Sequence, residues 1–119
     1  MTEQIEREPA RDPQDLERLL IVRQWAGDVE GMVALFEPDA VIDSGAGPLT
    51  IGHDALRAIY GRGIAKGQKF AKGKQSSAVI NGDIALTSTQ LPDGSVTAEV
   101  ARRQADGTWL WIIDRYSVL

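Results

Sequence analysis

Two acids and a phenol in the last quarter of the chain, Glu99, Asp114 and Tyr116, have the types and spacing for acid–base chemistry. They flank Asp106-Gly107, a strong hairpin signal. With a two-residue loop there, antiparallel pairing sets Ala101 opposite Ile112, Glu99 opposite Asp114 and Thr97 opposite Tyr116. Carboxyls opposed in this way have Cβ atoms about 5 Å apart, so in a dry pocket one of them is driven to keep its proton. A carboxylic acid held neutral near pH 7 donates a hydrogen bond to a ligand carbonyl, and the Tyr116 phenol offers another. The competing reading sets both acids at the sheet rim, solvated or paired with Arg103 and Arg115. A second two-residue corner at Asp93-Gly94 brings Leu86, Ser88 and Gln90 behind Ala101, Glu99 and Thr97. The shared face is then apolar at one end, with Val79, Ile84, Leu86, Ala101 and Ile112, and polar at the other, with Ser88, Gln90, Glu99, Asp114 and Tyr116.

Other chemistries are poorly served. His53 is the only histidine; beside Gly52 and before Asp54 it reads as decoration of a helix start, and a lone histidine is a poor metal site. No serine is placed to use it as a base. The absence of cysteine removes thiol nucleophiles, thiolate metal sites and disulfides, and makes the cytoplasm the default location. Between Gly61 and Lys74 the chain holds four glycines, five Lys or Arg and no acid. Gly67 and Gly73 stand one residue too far apart for a P-loop, and no Ser or Thr follows Lys74; Gly61 and Gly63 lack the third glycine of a dinucleotide fingerprint. The segment reads as a mobile, solvated connection anchored by Ile64 and Phe70. Nothing calls for a cofactor.

The elements that must position the acids start at Asp12-Pro13, an N-cap followed by proline at the first helical position. Leu16, Leu19, Leu20 and Trp25 form an apolar stripe ending at Gly27. Asp28 caps a second helix in which Val29, Met32, Val33 and Phe36 recur at helical spacing until Pro38. Ala40 to Asp43 reads as a short strand, Gly45 to Pro48 as a loop, and Asp54 to Tyr60 as a third helix. Asn81-Gly82, Asp93-Gly94 and Asp106-Gly107 then divide the remainder into a four-stranded antiparallel meander. The opposite sheet face carries Val100, Trp109, Trp111 and Ile113 among other apolar residues, with Arg102 across from Trp111. Three helices cannot cover both sides of a sheet, so this convex face is expected to meet a second copy in a homodimer.

A chain of 119 residues, 43% hydrophobic and 25% charged, makes one domain. Residues 1–11 read as a polar, acidic tail and residues 12–119 as the folded unit. Lys and Arg total 13 against 17 Asp and Glu, a net charge of −4 that argues against nucleic-acid or anionic-membrane binding. No apolar run approaches the roughly 20 residues that cross a bilayer, and the first eleven residues are unlike a signal peptide.

Four sets of residues carry a family likeness: Gly27-Asp28-Val29-Glu30 with Met32-Val33 and Leu35-Phe36; Pro38-Asp39-Ala40-Val41; Gly52-His53-Asp54-Ala55-Leu56 with Tyr60; and Asp106-Gly107-Thr108-Trp109. In this order, over nearly the whole domain, they resemble the nuclear transport factor 2-like superfamily, which includes ketosteroid isomerase-like and polyketide cyclase-like proteins. The resemblance implies an α+β cone: a curved antiparallel sheet of four long strands plus a short first strand, with three N-terminal helices over its concave face. Ketosteroid isomerases use an aspartate base at the end of the first strand and an oxyanion hole of a tyrosine and a protonated aspartate. Counting back from Gly52 and Pro48 puts Asp43 at the base position; counting forward from Ala40 puts Ser44 there. Glu99 falls on the protonated aspartate and Tyr60 on a third-helix pocket tyrosine, while Leu20 replaces the first-helix tyrosine. The Asp, Arg, Asp set of limonene-epoxide-hydrolase-like members is not matched, because Asp114 and Arg115 are strand neighbours and point to opposite faces.

The resulting expectation is a pocket for a small apolar or carbonyl-bearing ligand. Asp43, Glu99 and Asp114 would move and hold protons, and Tyr60, Tyr116, Ser88, Leu20, Ile112 and Trp25 would surround the ligand. The alternatives are a pocket that binds without turnover and a purely structural dimer.

Overall fold

The computed structural model describes residues 6–119. Helix α1 (Asp15–Trp25) is preceded by a turn that two aspartates hold. The Asp12 carboxylate accepts from the Gln14 N–H at 2.9 Å, and Asp15 accepts from the N–H groups of Arg11 and Asp12, both at 3.1 Å. Its Leu16, Leu19 and Leu20 are buried. Helix α2 (Val29–Val33) is capped by Asp28, which accepts from the Gly31 N–H at 3.0 Å. It stops short of the spacing that runs to Phe36, because Leu35 O accepts from the Trp111 N–H and strand β1 (Phe36–Asp43) has begun. Pro38 lies inside that strand, within a break in its pairing between Phe36 and Val41, where a missing N–H costs least.

After β2 (Thr50–Ile51), Gly52 at φ 87° turns the chain into α3 (His53–Ala65), and His53 Nε2 lies 2.7 Å from Phe36 O, tying the helix to β1. The helix runs through Gly61 and Gly63, which the sequence reading gave to the basic connection; Ile64 packs on the core and extends the apolar spacing of Leu56 and Tyr60. Strands β3 (Lys74–Gln75), β4 (Val79–Asn81), β5 (Ile84–Thr87), β6 (Thr89–Gln90), β7 (Ala98–Arg103) and β8 (Trp109–Arg115) follow. The sheet order is β2-β1-β8-β7-β5-β4, with β3 and β6 paired apart. The fold is α+β with a curved sheet, and the expected antiparallel meander is β4-β5-β7-β8; the sheet as a whole is mixed, because β1 runs parallel to β8.

Of the segment 1–11 read as a tail, Met1–Ile5 lie outside the described residues. Much of the rest is docked rather than frayed. Arg7 makes two bonds to Asp28, at 2.7 and 2.8 Å, and Ala10 is 2% exposed with its carbonyl accepting from the Trp109 N–H. A small residue and one arginine anchor a stretch whose acids suggested only solvation.

Two of the three corners are one residue longer than expected. Leu91 pairs with Ser95 around Pro92, Asp93 and Gly94, and Gln104 with Thr108 around Ala105, Asp106 and Gly107. The third loop position is glycine at φ 90° and 84°, the left-handed residue such loops require. At the first corner the extra residue moves β5, so Thr87 rather than Ser88 faces Glu99. Val79, Ile84, Leu86 and Ser88 thereby turn away from the face that carries Glu99. At the second corner a bulge compensates. Ala101 faces Trp111 and Val100 faces Ile113, leaving Ile112 without a partner, and beyond it Glu99 stands opposite Asp114 as the sequence reading had it.

Between corner and bulge the tryptophans are therefore turned inward. Trp109 is 6% and Trp111 1% exposed, and Trp111 lies 5.1 Å from the Phe36 ring in the core. Neither belongs to the convex face. Arg102 faces Leu110 and binds Glu37 instead of Trp111. The convex face keeps Val100 and Ile113 but joins them to other residues: Val79, Leu86, Val100, Ile113, Val41 and Ile51 are successive partners across all six strands.

Candidate functional site

The concave face and the helices enclose a cavity of ≈ 350 Å³. Its floor is strand: Thr97 and Glu99 on one side of the β7–β8 pair, Asp114 and, just past β8, Tyr116 on the other. Glu17 and Leu20 from α1 and Tyr60 from α3 close it from above, and Phe70, Ala71, Leu91, Pro92 and Asp93 form its mouth. The walls are mostly apolar, and the polar groups converge on one end, the usual anatomy of a small-molecule site.

Five residues expected at the site line it: Glu99, Asp114, Tyr60, Tyr116 and Leu20. Four do not. Asp43 follows Ile42, which is fully buried, and strand alternation turns Asp43 outward. It lies beside Arg115, at 3.3 Å, and accepts from the Gly45 N–H at 2.9 Å. Ser44, the other candidate for the base, accepts from the Ala46 N–H in the following loop. Ser88 is turned away by the long corner and donates to Thr97 O at 2.7 Å. Ile112 is the bulge residue and lies outside the lining. Trp25 is 57% exposed, but its indole N–H donates to Phe70 O at 3.0 Å and so braces the cavity wall from outside. Gln24 accepts from the Phe70 N–H and braces the same residue.

Glu17 was missed. Its place in Asp15-Leu16-Glu17-Arg18 looks like a solvated first turn, yet it stands three residues before Leu20 and seven before Gln24, both buried. An acid on the apolar stripe of a helix was the available signal.

The electrostatics follow from three carboxyls inside this space and a fourth, Asp93, at its mouth, with no Arg, Lys or His in the lining. Burial pushes Glu17 up to about 7, with the charge of Glu99 adding to it. Burial also raises Glu99, while hydrogen bonds from Thr97 and Thr87 pull it down; the Thr87 hydroxyl donates at 2.8 Å. Asp114 is raised well above the usual carboxylate range, by burial first and then by Glu99 and Glu17. Among the described residues its carboxyl has no hydrogen-bond or ion-pair partner, and it opens on the cavity. Burial raises both phenols, Tyr116 to about 12, and each lies close enough to the other to add to or offset that shift. A carboxyl whose burial favours the protonated form, an acid that titrates near 7 and two phenols thus face one apolar space. This set can donate hydrogen bonds to an oxygen and exchange a proton with a carbon or heteroatom beside it.

No protein-family model matches the sequence, and no curated protein matches it. Solved structures do. One is a protein of unknown function with a cystatin-like fold from Nostoc punctiforme, 21% identical over 86% of this chain and 84% of that one, with a TM-score of 0.64. A second is a nuclear transport factor 2-like protein with a cystatin-like fold from Novosphingobium aromaticivorans, 18% identical over 85% and 75%, at 0.63. A third is a ketosteroid isomerase-like protein from Erwinia carotovora atroseptica, 16% identical over 86% and 89%, at 0.66. The chain has the nuclear transport factor 2-like fold.

Proposed function

We propose that the cavity takes a small apolar, carbonyl-bearing molecule and moves a proton on it. The observation that carries this reading is Asp114, a buried acid that faces the cavity with no partner among the described residues, where burial and its acidic neighbours favour the protonated form. Its hydroxyl donates to the ligand carbonyl, with the phenols beside it as further donors. Glu17, titrating near 7, takes the proton from the carbon next to the carbonyl; the electron pair shifts to the carbonyl oxygen, where Asp114 stabilises the developing charge. Returning the proton to a different carbon isomerises the ligand. Glu99, fixed by Thr87, adds negative charge that strengthens the hold of Asp114 on its proton. Asp43 has no part in this scheme, and no cofactor enters it.

The test is turnover of a β,γ-unsaturated ketone, followed by the absorbance of the conjugated product. Glu17→Gln lowers the rate by about 10²–10⁴-fold; an unchanged rate in a folded Glu17→Gln protein overturns the scheme. Binding without turnover is the second reading. It is favoured by Leu20, which lines the cavity where the isomerase pattern has a tyrosine.

A homodimer through the convex face belongs to the same proposal. Its support is the apolar row from Val79 to Ile51, in which Leu86 is 49%, Ile113 51% and Ile51 61% exposed. An apolar row of this extent on an ordinary monomer surface is unusual.

A further inference from the structure

A run of lysines flanks the mouth of the cavity. Lys66, Lys69, Lys72 and Lys74 follow one another along the segment after α3, all exposed, and none forms an ion pair among the described residues. Phe70 and Ala71, between them, line the cavity. Lys72 and Lys74 line an open hollow on the outer side of Leu91 and Pro92, and those two residues wall both spaces. Lys69 stacks on the Trp25 ring, 5.1 Å from its centroid, on the indole that braces Phe70. Asp93 lies at the mouth as well, and one of its carboxylate oxygens accepts from the backbone N–H and hydroxyl of Ser95.

We infer that the ligand is an amphiphile with an anionic group: its apolar body enters the cavity and its phosphate, sulfate or carboxylate stays outside on Lys72 and Lys74. The orientation follows from charge. Glu99, and Glu17 once it ionises near 7, repel an anion at the closed end, and the lysine ammonium groups beside the open end attract it against the single carboxylate of Asp93. The inference rests on the proposed ligand pocket and adds the class of molecule that fills it. It also accounts for a run of basic residues without acids in a chain of net charge −4.

A matched pair of fluorescent probes tests this: 8-anilinonaphthalene-1-sulfonate and N-phenyl-1-naphthylamine, which differ by the sulfonate. At low salt the sulfonate is expected to bind about tenfold more tightly than the neutral probe. High salt or Lys72→Gln/Lys74→Gln reduces that ratio to about one, and Ala71→Trp, at the exposed mouth, removes both probes. If the neutral probe binds and the ratio is one from the start, or survives the lysine substitutions, the inference fails and the pocket stands. If neither probe binds, the pocket reading fails and takes the inference with it. Lysine-dependent sedimentation with phosphatidylglycerol vesicles, without a probe preference, assigns the lysines to a lipid surface and overturns a soluble amphiphile.

Discussion

Replacing Glu17 with glutamine keeps the shape of the side chain and removes one of three acids that compete for protons in the cavity. In the folded protein Glu17 holds its proton to about 7, against an ordinary 4.5. At 1.36 kcal/mol per tenfold change in proton affinity this is about 3 kcal/mol, and the partial exposure of Glu17 reduces it to about 1–2 kcal/mol. Below the ordinary carboxylate range both states are protonated and the group costs nothing. As pH rises, the unfolded chain releases its proton first, so the fold loses stability between about 4.5 and 7. Asp28, Glu30 and Glu37 behave oppositely, because hydrogen bonds from Arg7, Arg57 and Arg102 hold them low; their contribution is lost as pH falls. They are common to both proteins and cancel in the difference. Urea unfolding at pH 5 and pH 8 should therefore find Glu17→Gln near the parent at the lower pH and about 1–2 kcal/mol more stable at the higher. An equal difference at both values refutes the placement of Glu17 beside the other acids of the cavity.

Trp111→Ala should cost about 3–5 kcal/mol in the same assay, as expected for a core aromatic; a loss below about 1 kcal/mol would return that residue to the surface. Asp43→Asn should leave ketone turnover at the parent rate, since Asp43 lies beside Arg115 on the far face of β1; loss of turnover in a folded variant would restore it as the base. Ile113→Glu, in the middle of the apolar row, should convert a dimer to a monomer by light scattering after gel filtration. A parent protein that already elutes as a monomer removes the dimer.

The order of elements was legible because each carries a local signal: Asp28 for its helix, Gly52 for the entry to α3, and three glycine corners for the meander. The facing of Glu99 and Asp114 was legible for a weaker reason. A long corner and a bulge each shift the pairing by one residue, and the two shifts cancel at the acids. Between them they do not cancel, which is why Trp111 and Ile112 were placed on the wrong faces. Loop length decides such matters, and Asp-Gly is compatible with two-residue and three-residue corners alike. Asp43 was drawn from a resemblance whose count also allowed Ser44, and the alternation of β1 settles where Asp43 points. Glu17 needed the tertiary arrangement, since a first-turn acid on an exposed helix end and one over a cavity have the same local sequence.

Trp111 and Asp114 are three residues apart, and on a regular strand an odd separation sends two side chains opposite ways. Both point inward here because Ile112 has no counterpart in the register with either neighbouring strand. A central strand of a six-stranded sheet is ordinarily among the slowest parts of a fold to open. This one carries a point of slack two residues from the acid that faces the cavity. Amide hydrogens around Ile112 should therefore exchange ahead of their neighbours, and the Asp114 carboxyl can shift toward a bound molecule without unzipping the hairpin that carries it.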